Sequence, residues 1–304
     1  MKNKIFIFML IITILFSFTV IIPINKYKQN QNILISENKT WQEKCKNGSI
    51  SEQSEEEINF CKNILESDES VYNLKAYEGY EEYIIDYLRK YLSEFIVIAV
   101  ILFGSAYYIT KYLRNGIILN EINRKSYKNI VKDLFFSSWK YSIIIPLMLF
   151  IIMCTLLVVT CKTGINNGID DFSNTIFNNN LLLYFFIIIL QSFILSLTYI
   201  NINLIISKKE HNYIISVIKS YIFIIGLEIL FEVALSPLIY KIFKSDAGIY
   251  FNIINIYNYA YVEDNLNNLF VLIGIMIISF IALLIRYKNK ESLIIASEKN
   301  QIRG

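Results

Sequence analysis

Histidine occurs once, cysteine four times and proline three times in 304 residues. A single histidine excludes most zinc sites and most acid–base enzymes built on imidazole. The cysteines form no C-x-x-C pair, which excludes zinc ribbons and thioredoxin-like redox chemistry. Glycine is also scarce, at 10, so no glycine-rich repeat dilutes the composition. Charged residues make up 18% of the chain, against about 25% in ordinary soluble proteins. The net charge of +3 excludes a strongly basic nucleic-acid binder on charge alone. No P-loop, H-E-x-x-H or G-x-S-x-G motif stands on a credible element. We therefore assign no catalytic, cofactor-binding or metal-ligating residue and read the chain as a non-enzyme.

Apolar residues are what the chain has in excess, at 55%, and the mean hydropathy is +0.44. A bilayer core takes about 20 helical residues. Six runs come near that length: Ile5–Ile22, Phe95–Leu113, Tyr141–Cys161, Leu181–Ile206, Tyr213–Ser236 and Leu266–Tyr287. Pro23 follows the first and Pro237 follows the fifth. Nothing between them reads as a strand series, and backbone groups in lipid must pair within their own segment. The expected fold is all-α, a polytopic membrane bundle of six transmembrane helices with a small helical extracellular region. Its parts are a first helix over 1–22, an outer region over 23–94 and a five-helix bundle over 95–304. That bundle includes a cytoplasmic segment at 115–138 and a cytoplasmic tail at 288–304. No small-x-small cleavage site precedes Lys26, so the first run is expected to be an uncleaved anchor.

Lys and Arg in the short connectors set the orientation. With the N-terminus inside, the inner segments hold fifteen basic residues and the short outer loops hold only Lys162, Lys241 and Lys244. Both termini then lie in the cytoplasm, with the protein in the cell membrane. In the outer region, Ser54-Glu55-Glu56-Glu57 reads as a capping box. Tyr77 to Leu92 shows helical spacing running into the second span. Cys45 and Cys61 both fall outside, where they could form a disulfide or stand as two thiols.

Two further patterns concern function. In the segment Asn115–Trp139, Ile118, Ile122, Ile130, Leu134 and Phe135 recur at spacings of three and four, with Tyr127 and Val131 beside them. Arg124, Lys125, Lys128 and Lys132 crowd the opposite side. This predicts a basic amphipathic helix broken near Ser126, suited to an anionic membrane surface or to a soluble partner's groove. Within the fifth run, Glu228 and Glu232 are four apart and share a helix face. A carboxylate at the bilayer centre costs about 2.5–3.5 kcal/mol on insertion scales, so that face should turn to protein or to water. The short distance from Glu232 to Pro237 places it near interfacial water, leaving Glu228 the deeper of the two.

The layout resembles the permease subunits of type-two ABC exporters. The points of likeness are six spans, an outer loop between the first two, a basic amphipathic segment at Asn115–Ser138 and a semi-apolar stretch at Pro237–Asn265. The resemblance implies a coupling element within Asn115–Ser138 that docks on a separate ATPase subunit. Its docking residues would be Arg124, Lys125, Lys128, Ile130, Lys132, Leu134 and Phe135. It also implies a re-entrant outer gate at Pro237–Asn265, and pairing as a homodimer or with a related permease. The expected function is export of a peptide, lipid or drug-like solute, with membrane lipid as surroundings and no nucleic-acid partner. The alternatives are a secondary transporter or channel using the intramembrane carboxylate, and a membrane sensor or assembly protein.

Overall fold

The computed structural model describes residues 4–19, 21–47, 94–114, 117–160, 181–210, 212–244 and 266–302, with a few positions between 59 and 65. Among the described residues every regular element is a helix. The elements are α1 (Lys4–Phe18), α2 (Ile21–Lys46), α3 (Glu94–Arg114), α4 (Ile117–Ile122) and α5 (Tyr127–Trp139). They continue with α6 (Ile144–Thr160), α7 (Leu181–Ser207), α8 (Tyr213–Ile229), α9 (Ser236–Phe243), α10 (Asn267–Tyr287) and α11 (Lys290–Ile302). The chain is a membrane protein by this architecture. Four helical stretches are long and apolar enough to cross a bilayer: Tyr127–Thr155, Leu182–Ser207, Tyr213–Phe243 and Asn267–Tyr287. Two shorter apolar helices, Lys4–Phe18 and Ile98–Leu113, accompany them.

Helix α7 is central, 27 residues or about 40 Å long. It packs against α10, α3, α8 and α6, while α1 lies along α6 and α11 along α3. The core is aliphatic, with Ile101, Leu102, Ile188, Leu195 and Leu272 fully buried together with the large rings of Tyr141, Tyr184 and Tyr199. Gly104 permits the closest approach in this core. A Cβ there would lie 2.4 Å from the Tyr141 ring, so only glycine lets α3 meet that residue.

Three departures from the expected element boundaries have local causes. The amphipathic segment does break at Ser126, whose φ of −62° and ψ of 145° are extended, giving the two helices α4 and α5. Helix α5 does not stop before the third span, however. It passes through a 3₁₀ turn, Lys140–Ile143, directly into α6. Pro146, third in α6, has no N–H for the Ser142 carbonyl and its ring crowds that group, so the tighter turn falls where the α-helical bond is lost. Pro237 likewise does not close the fifth helix. A π-helical stretch, Leu230–Leu235, widens the turn before Pro237 and carries the chain into α9 without the proline's missing N–H. The helix ends only at Lys244, in the left-handed region at φ 52°. Pro23, finally, does not end a helix but lies near the start of α2, which extends through residues expected to be outer loop.

Cys45 at the end of α2 is joined to Cys61, with 5.5 Å between their Cα atoms. The capping box at 54–57, the tyrosine-rich stretch at 77–92 and residues 245–265 of the expected outer gate lie outside the described residues.

Candidate functional site

Three basic segments, 111–138, 207–212 and 286–302, meet at one end of the bundle. Ser297 Oγ donates to the Leu113 carbonyl at 2.9 Å, which seats α11 against α3. Lys208, just beyond α7, donates to the Arg286 carbonyl at 2.7 Å and to Ser292 Oγ at 2.6 Å. The Tyr127 hydroxyl donates to the Tyr287 carbonyl, and Tyr112 donates to Glu121. Lys208 is 3% exposed and lies 5.0 Å over the Tyr287 ring. Burial, helped by neighbouring Arg286 and Lys209, lowers its pKa from the ordinary lysine range to about 8. Its charge is instead received by the last carbonyls of α10, where a helix terminus favours a cation.

On this end the amphipathic pair is seated with its apolar side inward. Ile118, Ile130, Leu134 and Phe135 are buried, whereas Arg124, Lys125, Lys128 and Lys132 are exposed. The structure thus separates the sequence-derived docking residues into two sets. Ile130, Leu134 and Phe135 hold α5 to the bundle and cannot meet a partner. The four cations can. Lys125 is partly neutralised by Asp133 at 2.9 Å and Glu121 at 3.9 Å, and the Asp133 hydrogen bond raises its pKa. Because α5 continues into α6, a displacement of this surface moves a membrane-spanning helix with it.

Deeper in the bundle, two asparagines join the spans. Asn203 donates to the Leu102 carbonyl at 3.1 Å and to Ser105 Oγ at 2.6 Å. Its carbonyl oxygen accepts from Ser220 at 2.8 Å and Ser207 at 3.1 Å, and Ser207 also meets Ser216. All of its amide capacity facing α3 and α8 is therefore used. Asn201 accepts from Trp139 Nε1 at 2.9 Å and donates to Ser279 Oγ at 3.1 Å, which joins α5, α7 and α10. Sequence reading passed over both, because a long apolar run with scattered amides still reads as a span. The signal was there in Ser192, Ser196, Asn203 and Ser207, whose spacings of four and seven place them on one face.

The carboxylates sit elsewhere. Glu228 is the middle residue of the 31-residue stretch Tyr213–Phe243, and Glu232 lies in its π-helical turn. The helix end expected at Pro237 is therefore corrected. The helix continues past Pro237 to Phe243, which leaves Glu232 far from the helix end. Glu228 is half-buried and Glu232 exposed. The first half of this helix packs through Ser216, Val217, Ser220 and Ile224. No residue from Leu230 to Phe243 is buried. Beside it, between α7, α8 and α10, lies an apolar cleft of about 400 Å³ lined by Tyr199, Ile202, Phe223, Leu227, Phe231 and Ile278.

Among the described residues no cluster of three or more His, Cys, Asp or Glu could hold a metal ion. No family model matches the chain, and no curated protein or solved structure does either.

Proposed function

We propose that this chain is one permease subunit of an ATP-driven exporter in the cell membrane. It crosses the bilayer six times, with both termini cytoplasmic, and pairs with a second copy or a related permease. The observation that carries the reading is the helix Tyr213–Phe243. It is apolar and long enough to cross a membrane, its second half has no fully buried residue, and it carries an exposed carboxylate, Glu232. A carboxylate facing lipid near the bilayer centre costs about 2.5–3.5 kcal/mol, so a protein surface or a water-filled path belongs against Glu232. A second permease supplies both. The apolar cleft against the same helix suits a lipid or drug-like solute better than a small ion.

The remaining parts fit this arrangement. Helices α1 and α3 pack along spanning helices, which supports counting them as the fifth and sixth spans. The basic connectors gather at one end, as the positive-inside rule requires of a cytoplasmic face. The exposed Arg124 and Lys125, between α4 and α5, form the surface on which a separate ATPase docks, and the unbroken path from α5 to α6 carries its motion into the membrane. The test is purification of the tagged protein in a mild detergent, followed by mass photometry and identification of what accompanies it. Two permease copies with a nucleotide-binding subunit are expected. A lone monomer under several gentle conditions overturns the reading.

A second reading follows from the position of Glu228 at the middle of its span. A secondary transporter or channel would use that carboxylate to bind a proton or cation. Glu228→Gln would then abolish gradient-driven flux without altering folding. ATP-dependent flux that survives this substitution favours the first reading.

A further inference from the structure

We propose that the groove between α5 and the end of α10 is a binding site for an anionic phospholipid. The groove measures about 560 Å³ and runs between Tyr127–Trp139 and Leu284–Lys288. Its walls are apolar and aromatic, from Val131, Phe136, Trp139 and Ile285, and three lysines stand along it, Lys128, Lys132 and Lys288. All three are exposed, and among the described residues none forms an ion pair with a carboxylate. Lys125, one turn away, is by contrast already paired with Asp133. Three cations with no carboxylate partner among the described residues, set around an apolar slot, call for an occupant with a negative head and a hydrocarbon body.

The depth profile matches a lipid. Lys288 follows the last residue of α10, and the Tyr127 hydroxyl reaches the Tyr287 carbonyl. The mouth of the groove is therefore level with the end of a membrane-spanning helix. Trp139 lies against Phe280, ring centroids 5.7 Å apart, about 12 Å of helix rise below Lys288. A phosphate at the lysines would thus place an acyl chain along Phe136 and Trp139. Lys132 lies 5.7 Å over the Phe136 ring, which keeps its charge beside the hydrocarbon wall while its head remains at the boundary. The indole N–H of Trp139 is already used by Asn201, so the ring presents only apolar surface. Basic pockets between spanning helices at the cytoplasmic boundary recognise anionic head groups. The inference does not depend on the transport reading.

Trp139 is also the reporter. The chain has two tryptophans, and Trp41→Phe leaves Trp139 alone. The full-length W41F protein is reconstituted into dioleoyl-phosphatidylcholine vesicles containing increasing fractions of dibrominated phosphatidylglycerol or dibrominated phosphatidylcholine. Fluorescence quenching is then measured for each. We expect the brominated phosphatidylglycerol to quench at roughly ten-fold lower mole fraction. That preference should vanish when Lys128, Lys132 and Lys288 are all changed to Gln. It should persist when they are changed to Arg, and when the exposed Lys209 is changed to Gln instead. Equal quenching by the two lipids would show ordinary boundary lipid and overturn the proposal. Absence of quenching by either would show a groove filled by protein, and a preference that survives the triple Gln variant would put the head group elsewhere. Either result also overturns it.

Discussion

Replacing Asn203 by Leu tests whether amide hydrogen bonds or apolar packing hold the spans in register. The side chain makes three hydrogen bonds to other helices: to Leu102 and Ser105 on α3 and from Ser220 on α8. Hydrogen bonds between membrane helices average about 0.6 kcal/mol and reach about 1.7. Three of them give a loss of about 2 kcal/mol. The figure stays near the low end because the partners keep other acceptors. Ser105 Oγ also donates to the Ile101 carbonyl at 3.0 Å and Ser220 Oγ to the Ser216 carbonyl at 2.8 Å. Leu branches at the same carbon as Asn but its two methyl groups are bulkier than the amide, so no cavity forms and any overpacking adds to the loss.

Asn203→Asp separates the two explanations further. It keeps the size and the acceptor for Ser207 and Ser220, but points a second oxygen at the Leu102 carbonyl, where the amide had donated. An uncompensated buried charge costs about 3–5 kcal/mol. The expected order of stability is therefore wild type, then N203L, then N203D. The assay is thermal or denaturant-induced unfolding in mild detergent at neutral pH, followed by the tryptophan signal and by retention on size exclusion. N203L within about 0.5 kcal/mol of wild type, or N203D as stable as N203L, would refute the argument that the amide is a saturated interhelical junction.

Other consequences are open to direct measurement. The folded protein holds Lys208 at a pKa of about 8, below its unfolded value of 10.5, so the unfolded chain binds more protons between those values. Stability should rise with pH across that window, by on the order of 3 kcal/mol relative to Lys208→Met, as read from denaturant midpoints at pH 7.5, 9 and 10.5; parallel curves would contradict it. Gly104→Ala should cost about 1–3 kcal/mol by forcing the Tyr141 ring aside, whereas Gly226→Ala, with open space around its Cβ position, should raise helix stability slightly; equal effects would contradict the close approach. Ser126→Ala should change stability by less than about 0.5 kcal/mol, because Ser126 occupies the cap position of α5 without making the capping hydrogen bond. Without reductant, a maleimide should modify neither Cys45 nor Cys61, and reduction should expose both to labelling, as counted by mass; labelling without reductant would contradict the bridge.

Much of the helical layout was legible in the chain because it is carried by local pattern. The apolar face of the amphipathic segment and its break near Ser126 follow from spacing, but spacing did not show that Ile130, Leu134 and Phe135 pack on the bundle instead of docking a partner. The proline effects were not legible. Pro23 and Pro237 read as helix ends because proline removes a donor, yet Pro23 lies in the first turn of α2 and Pro237 follows a π-helical stretch that carries the helix past it. The outcome depends on whether the preceding turn can widen, as it does at Leu230–Leu235, and that is a property of backbone geometry. The junctions at Asn201 and Asn203 were also missed. Their role comes from hydroxyls, an indole and a carbonyl some 17 to 101 residues away along the chain, which no periodicity within one helix reveals. Lys208 was counted only as part of the basic bias, yet it has become the buried cap of another helix.

The distribution of these contacts divides the bundle into a tied part and an untied part. Asn201, Asn203 and Lys208 fasten α3, α5, α7, α10 and the first half of α8 together, and all lie toward the basic end. From Leu230 onward the fifth long helix has no buried residue. The change occurs at the π-helical turn, where backbone hydrogen bonds are already poorer than in an α-helix. A helix with buried residues in one half and none fully buried in the other, with a weakened turn between, bends more readily there than anywhere else along its length. Glu228 and Glu232 stand on either side of the start of that turn. Any partner that packs against Leu230–Phe243 therefore changes the surroundings of both carboxylates without disturbing the asparagine junctions. The sequence of this one helix thus places its anchoring serines, its weak turn and its charges in the order a moving element requires.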